Sequence, residues 1–354
     1  MQQKQALKTG VLLVNLGTPD SPEVPDVRKY LREFLMDKRV IDISYWKRWM
    51  LVNMIIAPFR APKSAKEYKK LWTENGSPLL YYGVKVKSLL QEQLGEEFHV
   101  ALGMRYQSPS IEGALTELKA QGVHKIIVVP LFPQYASATV GSVTDKVMEL
   151  VKNWQIIPDM DFIDHFHDHP MFINAFAEIG KSYLKKKDYD HVIFSYHGVP
   201  ERQIIKAATD TCCKLKDATC ACNQEQNIYC YRSACFHTTK LLAEALGLKD
   251  DQYSVCFQSR LGKDPWIQPY TEDVIIDLAK AGKKKVLAYS PAFIADCLET
   301  TLEVGEEYKE VFEENGGEEW DLVESLNEHP LWIDCLEQLV KERCNTHAFN
   351  PTIA

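Results

Sequence analysis

The sequence predicts an α/β protein of two similar units, each a four-stranded parallel sheet flanked by helices. Two observations predict it. Short apolar, β-branched runs alternate with longer amphipathic stretches along the chain, which is the pattern of strands buried on both faces and joined by helical crossovers. These runs number about four in each half, and 354 residues give ample material for two cores.

In the first half the strands fall at 10–16 (GVLLVNL), 99–104 (HVALGM), 125–131 (KIIVVPL) and 161–164. Each of the first three is a nearly continuous apolar run, too short for a helix of ordinary length. Helices are expected between them at 24–35, 110–120, 140–153 and 171–185. In the first of these, Val24, Val27, Leu31 and Leu35 recur at helical spacing, and Pro25 sits in the opening turn. The second half repeats the alternation, with strands at 191–196 (HVIFSY), 253–258 (YSVCFQ), 285–290 (KVLAYS) and 320–324 and helices at 236–246 and 271–281. The opening strand of each half runs into a turn of related form, Asn15-Leu16-Gly17 and Tyr196-His197-Gly198, a hint of duplication. The boundaries expected are 8–165 for the first unit and 166–328 for the second, with a C-terminal helix at 329–345 packing back on the first.

Composition narrows the function. Hydrophobic residues make up 45% and charged residues 25%, ordinary for a soluble globular chain and unlike a disordered or fibrous one. The 41 basic and 49 acidic residues leave a net charge of −8, so a general nucleic-acid binder is not expected. No apolar run has transmembrane or signal-peptide length, and a cytoplasmic protein is expected. In that reducing compartment the ten cysteines read as metal ligands before disulfides. GxGxxG, GxxxxGK[ST] and GxSxG are all missing from the sequence, so nucleotide-phosphate and serine-hydrolase chemistry lack their usual support.

Three patterns carry candidate chemistry. His197, in SYHGVP, follows a buried-type strand; Gly198 allows a ligand to approach, and an imidazole there suits a base or a metal ligand. A helix beginning at Asp296 puts Glu299, Glu303 and Glu307 on one face. Like charges at that spacing are destabilising unless a cation or its path offsets them; the plain alternative is a solvated acidic face. Glu299 lies nearest the strand end and is the first ligand candidate; a carboxylate with one imidazole suits Fe2+, Mn2+ or Zn2+. Third, His165, His167 and His169 (HFHDHP) alternate, as ligands of a zinc site on a strand do. The competing reading makes this row the approach to a helix, with Asp168 or His169 at its cap and Pro170 in its first turn. The stretch 45–59 (YWKRWMLVNMIIAPF) reads as a buried helix, or as an apolar lip for a flat ligand or a membrane surface.

Seven motifs in order, VLLVNLGTPDSPE (11–23), GSPL (76–79), GMRY (103–106), PLFPQYASATVGS (130–142), SYHGVP (195–200), FQSRLGKDPWIQPYT (257–271) and PAFIADCLET (291–300), make the chain resemble the ferrochelatases over nearly its whole length. The resemblance implies two Rossmann-like domains of chelatase-like fold with a porphyrin cleft between them, and a lyase inserting Fe2+ into protoporphyrin IX, the last step of haem biosynthesis. It puts the family's catalytic histidine on His197 and its glutamate on Glu299, both also toward the incoming iron. Porphyrin-pocket positions fall on Arg105, Tyr106, Trp266 and Phe293, the acidic path on Asp296 and Glu303, and the porphyrin-access lip on 45–59. Cys297 departs from the histidine some members carry there.

Six cysteines, Cys212, Cys213, Cys220, Cys222, Cys230 and Cys235, crowd into 211–236, where plain ferrochelatases are shorter. The segment resembles that of a bacterial subgroup holding a [2Fe–2S] cluster. Cys213, Cys220, Cys230 and Cys235 match it best, with Cys212 and Cys222 as alternates. Four thiolates also suit tetrahedral zinc. The other functional readings are a chelatase for coproporphyrin or cobalt, a non-catalytic haem or porphyrin carrier, and an Fe–S sensor. Peripheral membrane contact through the lip is compatible with all of them.

Overall fold

A computed structural model describes residues 8–208, 215, 220, 227–260, 262 and 264–345. The first half runs β1 (Thr9–Gly17), α1 (Val24–Leu35), α2 (Tyr45–Met50), a π-helical turn (Leu51–Ile56), α3 (Ala57–Leu71), α4 (Pro78–Leu94), β2 (Phe98–Tyr106), α5 (Ile111–Ala120), β3 (Lys125–Pro130), a second π turn (Ser137–Gly141), α6 (Ser142–Val151), β4 (Asp159–Phe162) and α7 (Pro170–Leu184). The second runs β5 (His191–His197), α8 (Glu201–Ala207), α9 (Tyr231–Leu246), β6 (Tyr253–Gln258), α10 (Thr271–Lys280), β7 (Lys285–Tyr289), a third π turn (Glu299–Glu307), α11 (Tyr308–Glu314), β8 (Glu319–Leu322) and α12 (Pro330–Asn345).

All eight expected strands form, in two four-stranded sheets ordered β2-β1-β3-β4 and β6-β5-β7-β8. Every pairing is parallel, and the order is the same in both. The repetition extends to detail. In each half the sheet's third strand leads to a π turn and a helix, and the last helix opens on a histidine whose Nδ1 accepts a backbone N–H two residues on: His169 from Met171 and His329 from Leu331, both 3.3 Å.

Successive strand residues face opposite sides of a sheet, and the cores follow that period. Val11, Leu13, Ile127 and Val129 of the first sheet share a continuous core with Phe194, Leu287 and Tyr289 of the second. Leu12, Val14, Ile126 and Val128 bury the first sheet's other face against α5 and α6. Ile193, Cys256, Val286 and Ala288 do the same in the second half. Helix α12 packs on α7 and α4, placing Trp332 in the shared core and Gln93 Nε2 2.8 Å from Asp334 Oδ1. No helix among the described residues is long and apolar enough to cross a membrane.

Two helices depart from expectation. Helix α9 begins at Tyr231, ahead of residue 236, with Cys230 at its N-cap; buried Arg232 and Ser233 in its first turns interrupt the apolar pattern that marks a helix. The helix expected from Asp296 begins instead at the Glu299 π turn, because Asp296 is held elsewhere. Its N–H donates to Asn327 Oδ1 (2.9 Å) and its carboxylate accepts from Asn327 Nδ2 (2.8 Å) and the Ser325 N–H (3.3 Å).

Candidate active site

Parallel sheets present their ligands at the carboxyl ends of the strands, and His197 ends β5 there. Its Nδ1 lies 2.6 Å from the carbonyl of Gly198. A carbonyl only accepts, so Nδ1 carries a proton, and in the neutral ring it is Nε2 that offers a lone pair. The rings of Trp266 and Phe293 stand beside the imidazole, with centroids 6.3 and 6.4 Å away. Gly198 is required: a Cβ would lie 2.9 Å from the Gln258 carbonyl and 3.1 Å from Trp266. These contacts bring His197, Trp266 and Phe293 to one place from three separate motifs.

Gln258 joins the histidine to the acidic ladder. Its backbone is in register with His197 across β5 and β6. Its side-chain oxygen accepts from Ser195 Oγ (2.7 Å), and its amide donates to the Glu299 carbonyl and to Glu303 Oε2 (both 3.1 Å). Glu303 also accepts from Ser259 Oγ, and from Tyr308 OH at 3.1 Å. Burial, then the neighbouring Glu303, raises the Glu307 carboxyl above its usual range. The ladder therefore carries the like-charge cost its spacing implied. Glu299 faces the first half: after burial its charge is the next cause raising the phenol of Tyr68 on α3, and it also raises Tyr30 on α1. Cys297, buried beside it, has its thiol pushed up by burial and then by Glu299.

Arg105 and Tyr106 end β2 in a closed network. Arg105 Nη2 meets Asp37 Oδ2 at 2.6 Å and Nε donates to Ser142 Oγ at 2.7 Å. The Tyr106 hydroxyl donates to the same Asp37 oxygen at 3.0 Å. Burial pushes Asp37 up, but the Ser142 hydroxyl, the Arg39 N–H and the Arg105 guanidinium outweigh it and hold the carboxyl below its usual range. Gln258, Asp37 and Ser142 were not singled out from sequence; the only available signal was that Gln258 and Ser142 lie inside two of the quoted motifs.

The segment 45–59 forms α2, the first π turn and the start of α3. Trp46 and Phe59 are 72% and 79% exposed, and Trp49, Met50, Met54 and Ile55 are exposed beside them. A buried-helix reading is thereby corrected; only its inner face, including Val52 and Ala57, is covered. Arg48 is buried and ties the segment down by donating to the carbonyls of Ile41 (3.1 Å) and Ile43 (2.8 Å).

Cys213, with Cys212 and Cys222, lies outside the described residues. Cys230 and Cys235 are buried and Cys220 is half-buried. Burial raises the Cys235 thiol, the Tyr231 hydroxyl lowers it, and the charges of Cys230 and Cys220 raise it again. Cys230 and Cys220 thus both lie within electrostatic reach of Cys235, with Arg232 near to offset thiolate charge; that donor set fits a thiolate-held metal group. In the histidine row, His169 caps α7 with Pro170 in its first turn, as the helix reading expected, while His165 and His167 turn toward Asp168.

The family profile described as Ferrochelatase matches residues 8–344. A ferrochelatase of Legionella pneumophila (strain Lens) is 47% identical over 337 residues, which is 95% of this chain and 100% of the relative. One from Coxiella burnetii (strain Dugway 5J108-111) is 43% identical over 335 residues, covering 95% and 94%. Among solved structures, SirB from Bacillus subtilis with Fe3+ aligns with a TM-score of 0.55 at 13% identity over 95% of each chain, a likeness of fold.

Proposed function

The chain belongs to the ferrochelatase family and is a metal-chelating lyase that inserts Fe2+ into porphyrin for haem synthesis, and we propose that His197 and Glu299 carry the insertion. The observation that supports this is the contact of His197 Nδ1 with the Gly198 carbonyl, which reserves Nε2 as the basic nitrogen of the neutral ring beside Trp266 and Phe293.

A free-base porphyrin holds two N–H protons that must leave, and the cation must shed water before it meets four ring nitrogens. His197 Nε2 takes a pyrrole proton. Glu299 offers the hard oxygen that holds Fe2+, and Glu303 and Glu307 extend that acidic path; Asp296 anchors the turn from which it starts. Trp266 and Phe293 flank the macrocycle. Arg105 and Tyr106 set the wall of the first half through Asp37, and walls that hold the ring distorted expose its lone pairs.

Protoporphyrin IX is the porphyrin we assign, with coproporphyrin, or cobalt as the metal, as the alternatives a metal-by-porphyrin activity panel separates. The exposed lip is assigned to peripheral membrane contact. Cys213, Cys220, Cys230 and Cys235 are assigned to a [2Fe–2S] cluster, a one-electron group when bound; a colourless, zinc-containing protein after anaerobic purification overturns that assignment. The test of the catalytic pair is His197→Ala. Iron insertion is expected to fall at least a hundredfold while porphyrin still quenches tryptophan fluorescence. Normal insertion by this variant overturns the assignment.

A further inference from the structure

We infer that His165, His167 and Asp168 form a second divalent-metal site, apart from His197 and Glu299, built for a first-row cation of zinc or cobalt type. The site lies in the loop that leaves the carboxyl end of β4. One donor atom from each of the three residues falls within 4.8 Å of the others. Metal–nitrogen bonds near 2.0–2.1 Å require donors roughly 3.3–3.5 Å apart. The donors must therefore draw together on binding, and Asp168, exposed at the surface, has room to rotate toward the two imidazoles.

Three further features mark this as more than a chance grouping. His165 Nδ1 lies 2.9 Å from the carboxylate of Asp164. The contact is an electrostatic one without hydrogen-bond alignment; a carboxylate beside one ring nitrogen leaves the other for a metal. His167 is 2% exposed, and its loop is pinned: Thr238 Oγ1 donates to the His167 carbonyl at 3.0 Å and receives Gln134 Nε2 at 3.1 Å. A third imidazole stands behind, His237 on α9, with its ring 5.8 Å from that of His167, which is itself 5.4 Å from that of His165. A file of three imidazoles beside two carboxylates is poorly matched to an apolar core and well matched to a cation.

The donor set defines the ligand class. Two imidazoles and one carboxylate, with no thiolate, favour Zn2+, Co2+ or Fe2+. The oxygens are too few for Ca2+, which takes six to eight. The alternation His165, His167, His169 predicted a different third ligand. His169 is spent on the cap of α7, and Asp168 takes its place because the loop turns before the helix begins.

The test uses cofactor-loaded full-length protein carrying His197→Ala and Glu299→Gln, so that the substrate-iron donors are removed, with Co2+ as the probe in equilibrium dialysis and visible absorption. One equivalent of Co2+ is expected; in the spectrum of Co2+-treated protein minus that of untreated protein, d–d bands appear without a thiolate-to-cobalt charge-transfer band. His165→Ala and Asp168→Asn, added separately, are each expected to weaken Co2+ binding at least tenfold with an unchanged melting temperature. Asp168 is on the surface, so its variant reads binding and not folding. Absence of the bound equivalent, a thiolate band, or less than tenfold weakening in either variant overturns the site. The inference is independent of the chelatase assignment, and either can fail without the other.

Discussion

His191 and His197 stand at opposite ends of β5 and do opposite things. His191 is 6% exposed, with Nε2 2.8 Å from Ser254 Oγ, and burial pushes its pKa down to about 4. An unfolded histidine titrates near 6.5, so between those values the unfolded chain binds a proton that the folded chain refuses. Stability therefore falls as pH drops from about 6.5 toward 4, by an amount on the order of 3 kcal/mol. Urea melts of His191→Gln are expected to show a flatter pH dependence across that window; a slope equal to the parent's would refute it. At the cleft end, Glu299→Gln keeps shape and removes charge. Iron insertion is expected to fall about a hundredfold or more with porphyrin affinity unchanged, and parental turnover would remove Glu299 from the catalytic pair. His197 and Glu299 could be singled out as candidates because each follows a strand that reads clearly. Gln258 could not, because its role depends on the register of β6 against β5, which no local pattern encodes.

Helix α9 ties the cysteine segment to β5, the strand that ends on His197. Tyr231, buried one residue beyond Cys230, donates its hydroxyl to the His197 carbonyl at 2.8 Å. Arg232 Nη2 donates to the Gln268 carbonyl at 3.2 Å, two residues beyond Trp266. The helix that carries Cys230 and Cys235 thus touches both sides of the His197 pocket. Tyr231→Phe leaves a buried carbonyl without this donor, a loss of about 1–3 kcal/mol. A drop in kcat exceeding any change in porphyrin affinity is expected, because the histidine's backbone is displaced while the aromatic walls remain. Equal effects on kcat and affinity, or none on either, would show that the bond does not position His197. At this scale the strands were legible and the special turns were not. Apolar run length identifies a buried strand, but i→i+5 winding at Glu299–Glu307 arises from tertiary context that holds Asp296 out of the helix. π turns of this kind gather at functional sites.

The duplicated topology puts two sheets around a shared core and leaves one feature with no place in it, the lip at 45–59. Twin turns in the sequence hinted at the duplication; the exposure of the lip could not be read, because an apolar helix looks the same whether a core or a membrane covers it. The lip is fastened to the other half at its base, where Asp42 accepts Arg202 Nε at 2.6 Å and Lys206 Nζ at 2.5 Å. The chain's net charge is −8, yet Lys47, Arg60, Lys63 and Lys66 are all exposed in or beside the lip. If the lip meets a membrane as proposed, an apolar surface flanked by cations on an acidic protein would turn that face toward an anionic bilayer, each cation contributing about 1 kcal/mol near the surface. Burying Trp46 or Phe59 adds roughly 1.5–3 kcal/mol each, so Trp46→Asp or Phe59→Asp should weaken vesicle binding tenfold to a hundredfold. Cosedimentation with phosphatidylserine-containing vesicles is expected to exceed that with phosphatidylcholine alone and to decline with salt. Equal sedimentation of parent and both variants would show that the exposed face serves the porphyrin alone, and its hydrophobic residues would then have to be explained by the macrocycle they admit.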